Sequence, residues 1–199
     1  MFDNIKPIVN FLFEAGMMAK TPRSGFHFLG SGEQSVAEHN NRVMFIGYVL
    51  SRLEKNIDAA KILKMCLFHD LAEARTSDLN YVHQKYAQSD ETGAIRDLAA
   101  TLDFGADLLE IIDEYKKNES REAILAHDAD QLEFLFSLKE QVDIGNKRAE
   151  DWIGPVIKRL KTESAAAIAR EAVNTNSDEW WFSDKNDRWW VDRNKKIKK

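Results

Sequence analysis

A single cysteine, Cys66, means that no internal disulfide can form; a cystine-stapled fold is excluded and a reducing compartment is expected. Only three prolines interrupt the 199 residues, while Glu, Lys, Ala and Leu are plentiful, a composition that favours helices. No apolar stretch approaches the roughly 18 residues that would span a bilayer, and Met1-Phe2-Asp3-Asn4 lacks the charge pattern of a signal peptide. A cytoplasmic protein with no membrane partner is expected. Positive charge is also short. The net charge is -5 and no basic patch stands outside the last few residues, Lys195 to Lys199, so there is no general attraction to nucleic acid. A small phosphorylated ligand needs only one or two basic groups. The sequence has no internal repeat.

What is present is enough apolar residue, 44%, to bury a sizeable core in one compact domain. Ile5, Ile8, Val9, Leu12 and Phe13 recur at helical spacing between Phe2 and about Ala19, with Pro7 tolerated in the first turns. Breaker residues then predict a loop from Lys20 to Gly32, which carries Arg23, Phe26, His27 and Phe28. It is either a solvated connection or a substrate lip, with Arg for an anion and aromatics for a ring. Ser35 and Glu38 have capping-box spacing, which puts His39 in the first turn of a helix running to Leu53. A second helix runs from Asp58 into His69-Asp70. Because only a short turn at Lys55-Asn56-Ile57 joins the two, they should pack antiparallel and bring His39 towards His69.

Beyond them, Leu79 to Gln88 reads as irregular chain or a short helix with His83 exposed. Ser89 with Thr92 opens a helix through Ile95, Leu98 and Leu102, and Leu108 to Tyr115 marks another. A long helix from Glu119 to about Ile144 has apolar residues around much of its circumference, so Asp128 and Asp130 within it need a partner or a metal. Periodicity alone slightly favours Asp128 as the deeper of the two. Trp152 to Ala172 reads as a last long helix. A division into residues 1–175 and a Trp-rich extension, 176–199, follows from composition. Trp180, Trp181, Trp189 and Trp190 should not hang in water: they pack on the body, on a second subunit, or against a pocket.

The chemistry gathers at Leu67-Phe68-His69-Asp70-Leu71-Ala72-Glu73, with Asp78 just past a Thr-Ser break. On a helix Glu73 would lie one turn after His69, near any metal held by His69 and Asp70 without being needed as a ligand. Imidazole with carboxylate suits Zn, Mn, Fe or Co. Cys66 reads as a small core residue rather than a thiolate ligand.

A His, a His-Asp thirty residues later and an Asp sixty residues further inside another helix resemble the HD-domain metal-dependent phosphohydrolases, here through His39, His69-Asp70 and Asp130. Arg23, Val36-Ala37-Glu38-His39, Glu73, Asp78 and Ala129-Asp130-Gln131-Leu132-Glu133 ahead of Gly145-Asn146 are similar to the 5′-deoxynucleotidase branch of that superfamily. The resemblance covers about residues 1–170. It implies an all-α fold, a compact HD-domain helical bundle carrying a Trp-rich C-terminal tail. It also implies one divalent metal ion (Mn, Co, Zn, Fe or Mg) held by His39, His69, Asp70 and Asp130. Glu73 then resembles the general acid/base, Asp78 a second carboxylate near the sugar or leaving oxygen, and Arg23 the phosphate-gripping arginine. Relatives commonly carry Trp close behind that arginine; here Ser24 and Gly25 intervene before Phe26, the candidate substrate-binding ring. The implied activity is removal of phosphate from nucleoside 5′-monophosphates, deoxyribonucleotides foremost, by a metal-activated water in a homodimer. The alternatives are the same chemistry on another phosphorylated metabolite or a nucleoside triphosphate, or a scaffold that only binds.

Overall fold

Side-chain caps set the starts of several helices. In the computed structural model, which describes residues 5–192, the elements are α1 (Lys6–Ala15), a 3-10 turn (Gly16–Lys20), α2 (Phe26–Leu29), α3 (Val36–Leu53), α4 (Ala59–Phe68), α5 (Glu73–Thr76), α6 (His83–Tyr86), α7 (Glu91–Ala99), α8 (Gly105–Lys117), α9 (Arg121–Asp143), α10 (Lys147–Ile157), α11 (Glu163–Ala172), α12 (Glu179–Phe182) and α13 (Arg188–Val191). The fold is all-α as expected, and its described residues hold one isolated bridge, Pro22 to Ser35, and no strand. The capping box at α3 forms in full: Ser35 Oγ accepts from the Glu38 N–H while Glu38 reaches back to the Ser35 N–H. The side chains of Asp58, Ser120, Asn146 and Thr162 cap α4, α9, α10 and α11 by accepting from backbone N–H groups, without the reciprocal bond. At α7 the capping oxygen belongs to Asp90, one residue after the serine that the spacing favoured.

Helix α9 is the centre of the bundle. Leu125, Ala129, Leu132, Leu135 and Leu138 are fully buried and meet Val43 and Leu50 of α3, Ile62, Met65 and Cys66 of α4, and the small residues Ala165 and Ala169 of α11. Apolar side chains on more than one face of α9 are what a helix covered on several sides requires. Helices α3 and α4 cross closely because Gly47 leaves room: a Cβ there would stand 2.6 Å from Cys66 Sγ. Cys66 is therefore a core residue, its thiol pushed up to about 12 by burial and by Asp130. A smaller cluster of Met18, Val36, Leu71, Ala72, Ile95, Leu98, Leu108 and Ile112 packs the turn after α4 against α7 and α8.

Three expectations change. The last long helix is two helices, since α10, with Pro155 inside it, ends at Ile157 and α11 starts afresh at the Thr162 cap. The stretch from Lys20 to Gly32 is not all loop, because Phe26–Leu29 forms α2 and buries Phe26 and Leu29. The tail does not pack on the body through its tryptophans: Trp180 is 86% and Trp189 71% exposed. Trp181, Phe182 and Trp190 instead pack on one another with centroids 5.1–6.0 Å apart. The terminal lysines 195–199 lie outside the described residues.

Candidate metal centre

The α3 cap fixes His39 one turn into the helix, fully buried and facing α9. His69 is the C-cap of α4, its N–H still bonded to Met65 O at 2.9 Å. Regular helix then stops: Leu71 N–H bonds to Phe68 O and Glu73 N–H to Asp70 O, so residues 69–72 are tight turns and Glu73 opens α5. The sequence expectation of one continuous helical turn from His69 to Glu73 gives way to this break. The grouping survives it. His39 Nε2 lies 3.3 Å from His69 Nε2, 3.6 Å from Asp70 Oδ2 and 3.1 Å from Asp130 Oδ1, and His69 Nε2 lies 3.3 Å from Asp70 Oδ2.

The hydrogen bonds on the far side of each ring decide what Nε2 is. His39 Nδ1 faces Glu133 Oε2 at 2.5 Å and His69 Nδ1 faces Cys66 O at 3.0 Å. A carboxylate and a carbonyl only accept, so both Nδ1 atoms donate, and each ring in its neutral form turns an Nε2 lone pair to the centre. Two lone pairs and two carboxylates converging on one point suit a cation. His39, His69 and Asp70 offer ligand atoms all within 4.8 Å of one another; Asp130 is not one of that group and adjoins it through His39 Nε2, 3.1 Å from its Oδ1. The field agrees. Burial and Arg23 oppose charge on His39, yet its bonds to Asp130 and Glu133 carry it up to about 9, so without an ion the acids hold a proton on the ring where a cation would take its place. Burial likewise opposes charge on Asp70, which His69, Arg23 and His39 nonetheless hold down at about 2. Asp130 is held low against burial chiefly by His39.

Of the two aspartates in α9, Asp128 is the deeper, as periodicity suggested, at 1% exposed, but its carboxylate is spent on backbone. Its oxygens accept from Lys161 N at 2.9 Å, Thr162 N at 2.8 Å and Thr162 Oγ1 at 2.6 Å, which anchors the start of α11.

Arg23 is brought over the cluster by the bridge at the base of its loop. Arg23 N–H bonds to Gln34 O at 2.8 Å and Val36 N–H to Thr21 O at 2.9 Å, tying the loop to the start of α3. The guanidinium then lies 3.2 Å from Asp70 Oδ2 and 3.8 Å from Asp78 Oδ2; despite burial, Asp70, Asp130, Asp78 and Glu73 hold its pKa above the ordinary value. Asp78 is locked in turn: its Oδ2 accepts from Ser24 N at 2.9 Å and its carbonyl from Ser24 Oγ at 2.7 Å. Ser77, just before it, has φ 63° and ψ 160°, a conformation suited to glycine, and it turns the chain so that Asp78 meets the loop. Glu73 has a buried Oε2 with no hydrogen-bond partner among the described residues. Burial, Asp70 and Asp78 push its carboxyl up to about 9, against Arg23 and His39. Phe26 sits beneath this loop in the main core cluster, 9% exposed. His83 stays on the exposed helix α6.

Sequence reasoning gave no role to Ser24 or Glu133. The serine carried no signal. Glu133 did: it lies one turn from Asp130 on a helix whose apolar residues spread around much of its circumference, and an acid buried there needs a partner.

A sequence model described as "HD domain" matches residues 15–172. Among curated proteins, a 5′-deoxynucleotidase HDDC2 of Dictyostelium discoideum is 31% identical over 119 residues, 54% of this chain and 62% of its own length. The protein of the same name in Mus musculus is 24% identical over 190 residues, 85% of this chain and 94% of its own. A conserved hypothetical protein from Pyrococcus furiosus has a similar solved structure, with TM-score 0.68 and 28% identity over 84% of this chain and 99% of its own.

Proposed function

The chain belongs to the HD-domain family, and from that premise we propose that it is a metal-dependent phosphomonoesterase acting on nucleoside 5′-monophosphates, deoxyribonucleotides foremost. The observation that carries this reading is the meeting of two imidazole Nε2 atoms, 3.3 Å apart, with the carboxylates of Asp70 and Asp130, Arg23 lying against Asp70. In it His39, His69, Asp70 and Asp130 hold a single divalent ion. Imidazole and carboxylate accept Mn, Co, Zn, Fe or Mg in such a set. When bound, the ion supplies hydroxide from water near neutral pH and offsets charge on the phosphoryl oxygens.

The residues of the chain do the rest. Arg23, poised between Asp70 and Asp78, turns its fork onto the phosphoryl oxygens. Phe26, the candidate substrate ring, is 9% exposed and props the loop that carries Arg23. Glu73, whose carboxyl burial, Asp70 and Asp78 raise to about 9 before any ion binds, is the acid in this reading. As the water oxygen bonds to phosphorus and the P–O5′ bond breaks, Glu73 hands its proton to the departing O5′. Asp78, held by Ser24, orients that oxygen or the adjacent sugar hydroxyl. A triphosphate would want more positive charge nearby, and Arg75 is already engaged by Glu14 at 2.5 and 2.9 Å, which favours the monophosphate.

The test is phosphate release from a panel of ribo- and deoxyribonucleoside mono- and triphosphates, after chelation and readdition of Mn, Co, Zn and Mg. Metal-dependent release from deoxyribonucleoside monophosphates is expected. Silence across the panel, with metal bound, would move the chain to another phosphoester or to a binding role.

We assign this activity to residues 1–175, with 176–199 as an extension, and to a homodimer. Helix α1 buries none of its residues, and it leaves Ile5, Leu12 and Phe13 exposed while α3 exposes Phe45, Tyr48 and Leu53. A second copy covering these faces would remove that apolar surface from water. Sedimentation equilibrium should give twice the chain mass, and Phe13→Glu with Phe45→Glu should give the single chain; a wild-type monomer would end this assignment.

A further inference from the structure

The two histidines reach one point from different helices, but they are held differently. His69 leans on a neutral carbonyl, that of Cys66 at 3.0 Å. His39 leans on Glu133, which is 0% exposed and 2.5 Å from its Nδ1. The second carboxylate oxygen of Glu133 is fully engaged: it accepts from Gln34 Nε2 at 2.7 Å, Arg42 Nε at 3.0 Å and Ser137 Oγ at 3.0 Å. Arg42 is itself held by Ser137 Oγ at 2.8 Å and by Glu140 at 2.5 Å. A buried acid within an apolar helix is costly, and this one is kept ionised by three donors on one side so that its other oxygen is free for a histidine.

We propose that Glu133 is a positioning residue for the metal: through its hydrogen bond it fixes the Nε2-bare tautomer and the ring orientation of His39 and makes that ring the stronger of the two imidazole ligands. Arg42, Gln34 and Ser137 are the brace that holds Glu133 in place. The inference rests on the metal site proposed above but not on any substrate. A negative charge behind an imidazole raises its basicity towards a cation, and a carboxylate with one oxygen pinned by three donors cannot swing away. The bland alternative is that Glu133 merely neutralises Arg42 and joins α3 to α9. That role would be lost as stability, not as affinity of folded protein for metal.

The experiment is competition for Mn(II) or Zn(II) between the full-length chain and a chromophoric chelator. The wild-type chain should take up one ion. Glu133→Gln keeps an acceptor but loses the charge, and should bind about 10-fold more weakly; Glu133→Leu loses both and should bind about 100-fold more weakly, the range that lost outer-shell partners produce. Saturating metal should bring kcat back to within a few-fold, with KM for the substrate unchanged, because Glu133 touches neither substrate nor reacting atoms. If the Glu133 variants do not fold, Arg42→Met, which removes one arm of the brace from a partly exposed position, should still weaken metal binding several-fold. A folded Glu133→Gln with wild-type affinity overturns the proposal, as does Arg42→Met with wild-type affinity where the first cannot be measured. A wild-type chain that binds no ion at all would instead remove the metal site itself.

Discussion

Asp130→Ala is expected to retain no stoichiometric divalent ion and to release phosphate roughly a thousandfold more slowly than wild type, whereas Asp128→Ala, two residues away, is expected to keep its metal and lose stability. Two residues along an α-helix are about 200° apart, so the aspartates look out from nearly opposite faces of α9. One meets His39 at 3.1 Å; the other holds the backbone N–H groups of Lys161 and Thr162. Removing Asp130 takes a negative ligand from a point where His39, His69 and Asp70 remain, and three ligands with a net charge of one retain the ion far less well. Removing Asp128 leaves the buried Thr162 N–H and hydroxyl and the part-buried Lys161 N–H without their acceptor and frees the turn before α11. The cost should be about 3 kcal/mol, or roughly 6–12 °C in Tm. Metal content by elemental analysis beside thermal unfolding separates the two. If Asp128→Ala lost the metal and Asp130→Ala kept it, the assignment of the fourth ligand would be exchanged.

That pair also marks what could be read from the sequence and what could not. Burial of Asp128 was legible, because it follows from the apolar neighbours along one helical stripe. What satisfies it was not, because Lys161 and Thr162 lie more than thirty residues away and their placement depends on where α10 ends. Pro155 was visible, but the bare apolar pattern of Val156, Ile157, Leu160 and Ala165 ran across the break. The meeting of His39 with His69 was legible from local rules alone: a capping box that fixes one helix start, a short turn, and antiparallel packing. The bend after His69 was not, since Leu71 and Ala72 are good helix formers. They are drawn instead into the smaller core beside Ile95 and Leu108, and tertiary burial overrides propensity there. The tail shows the opposite limit. Composition said that its tryptophans should find cover, and they find it partly in one another rather than on the body.

Glu73→Gln is expected to keep the metal, lower kcat by about 10²- to 10⁴-fold, and erase the alkaline fall in activity. The carboxyl of Glu73 is raised to about 9 by burial and by Asp70 and Asp78 in the metal-free protein, so as the proposed acid it would be spent as the pH rises. Activity in wild type should therefore fall on the alkaline side; a bound ion, being positive, moves that limb to lower pH. The amide is the same size, has no proton to give to O5′, and does not titrate. Stability provides an independent check on the same group. A carboxyl whose pKa is raised on folding, from 4.5 to about 9, binds more proton folded than unfolded across that window, so metal-free wild type loses stability as pH climbs through it. Glu73→Gln removes that loss. In chelator, the variant should melt above wild type at pH 9, and the gap should shrink towards pH 5. A chain that becomes more stable as it loses its proposed acid is the trade expected of a catalytic group, here one with a buried oxygen that no donor among the described residues satisfies. If Glu73→Gln instead retained full turnover at saturating metal, the proton would have to reach the leaving oxygen by another route, and Asp78 would be the next residue to replace.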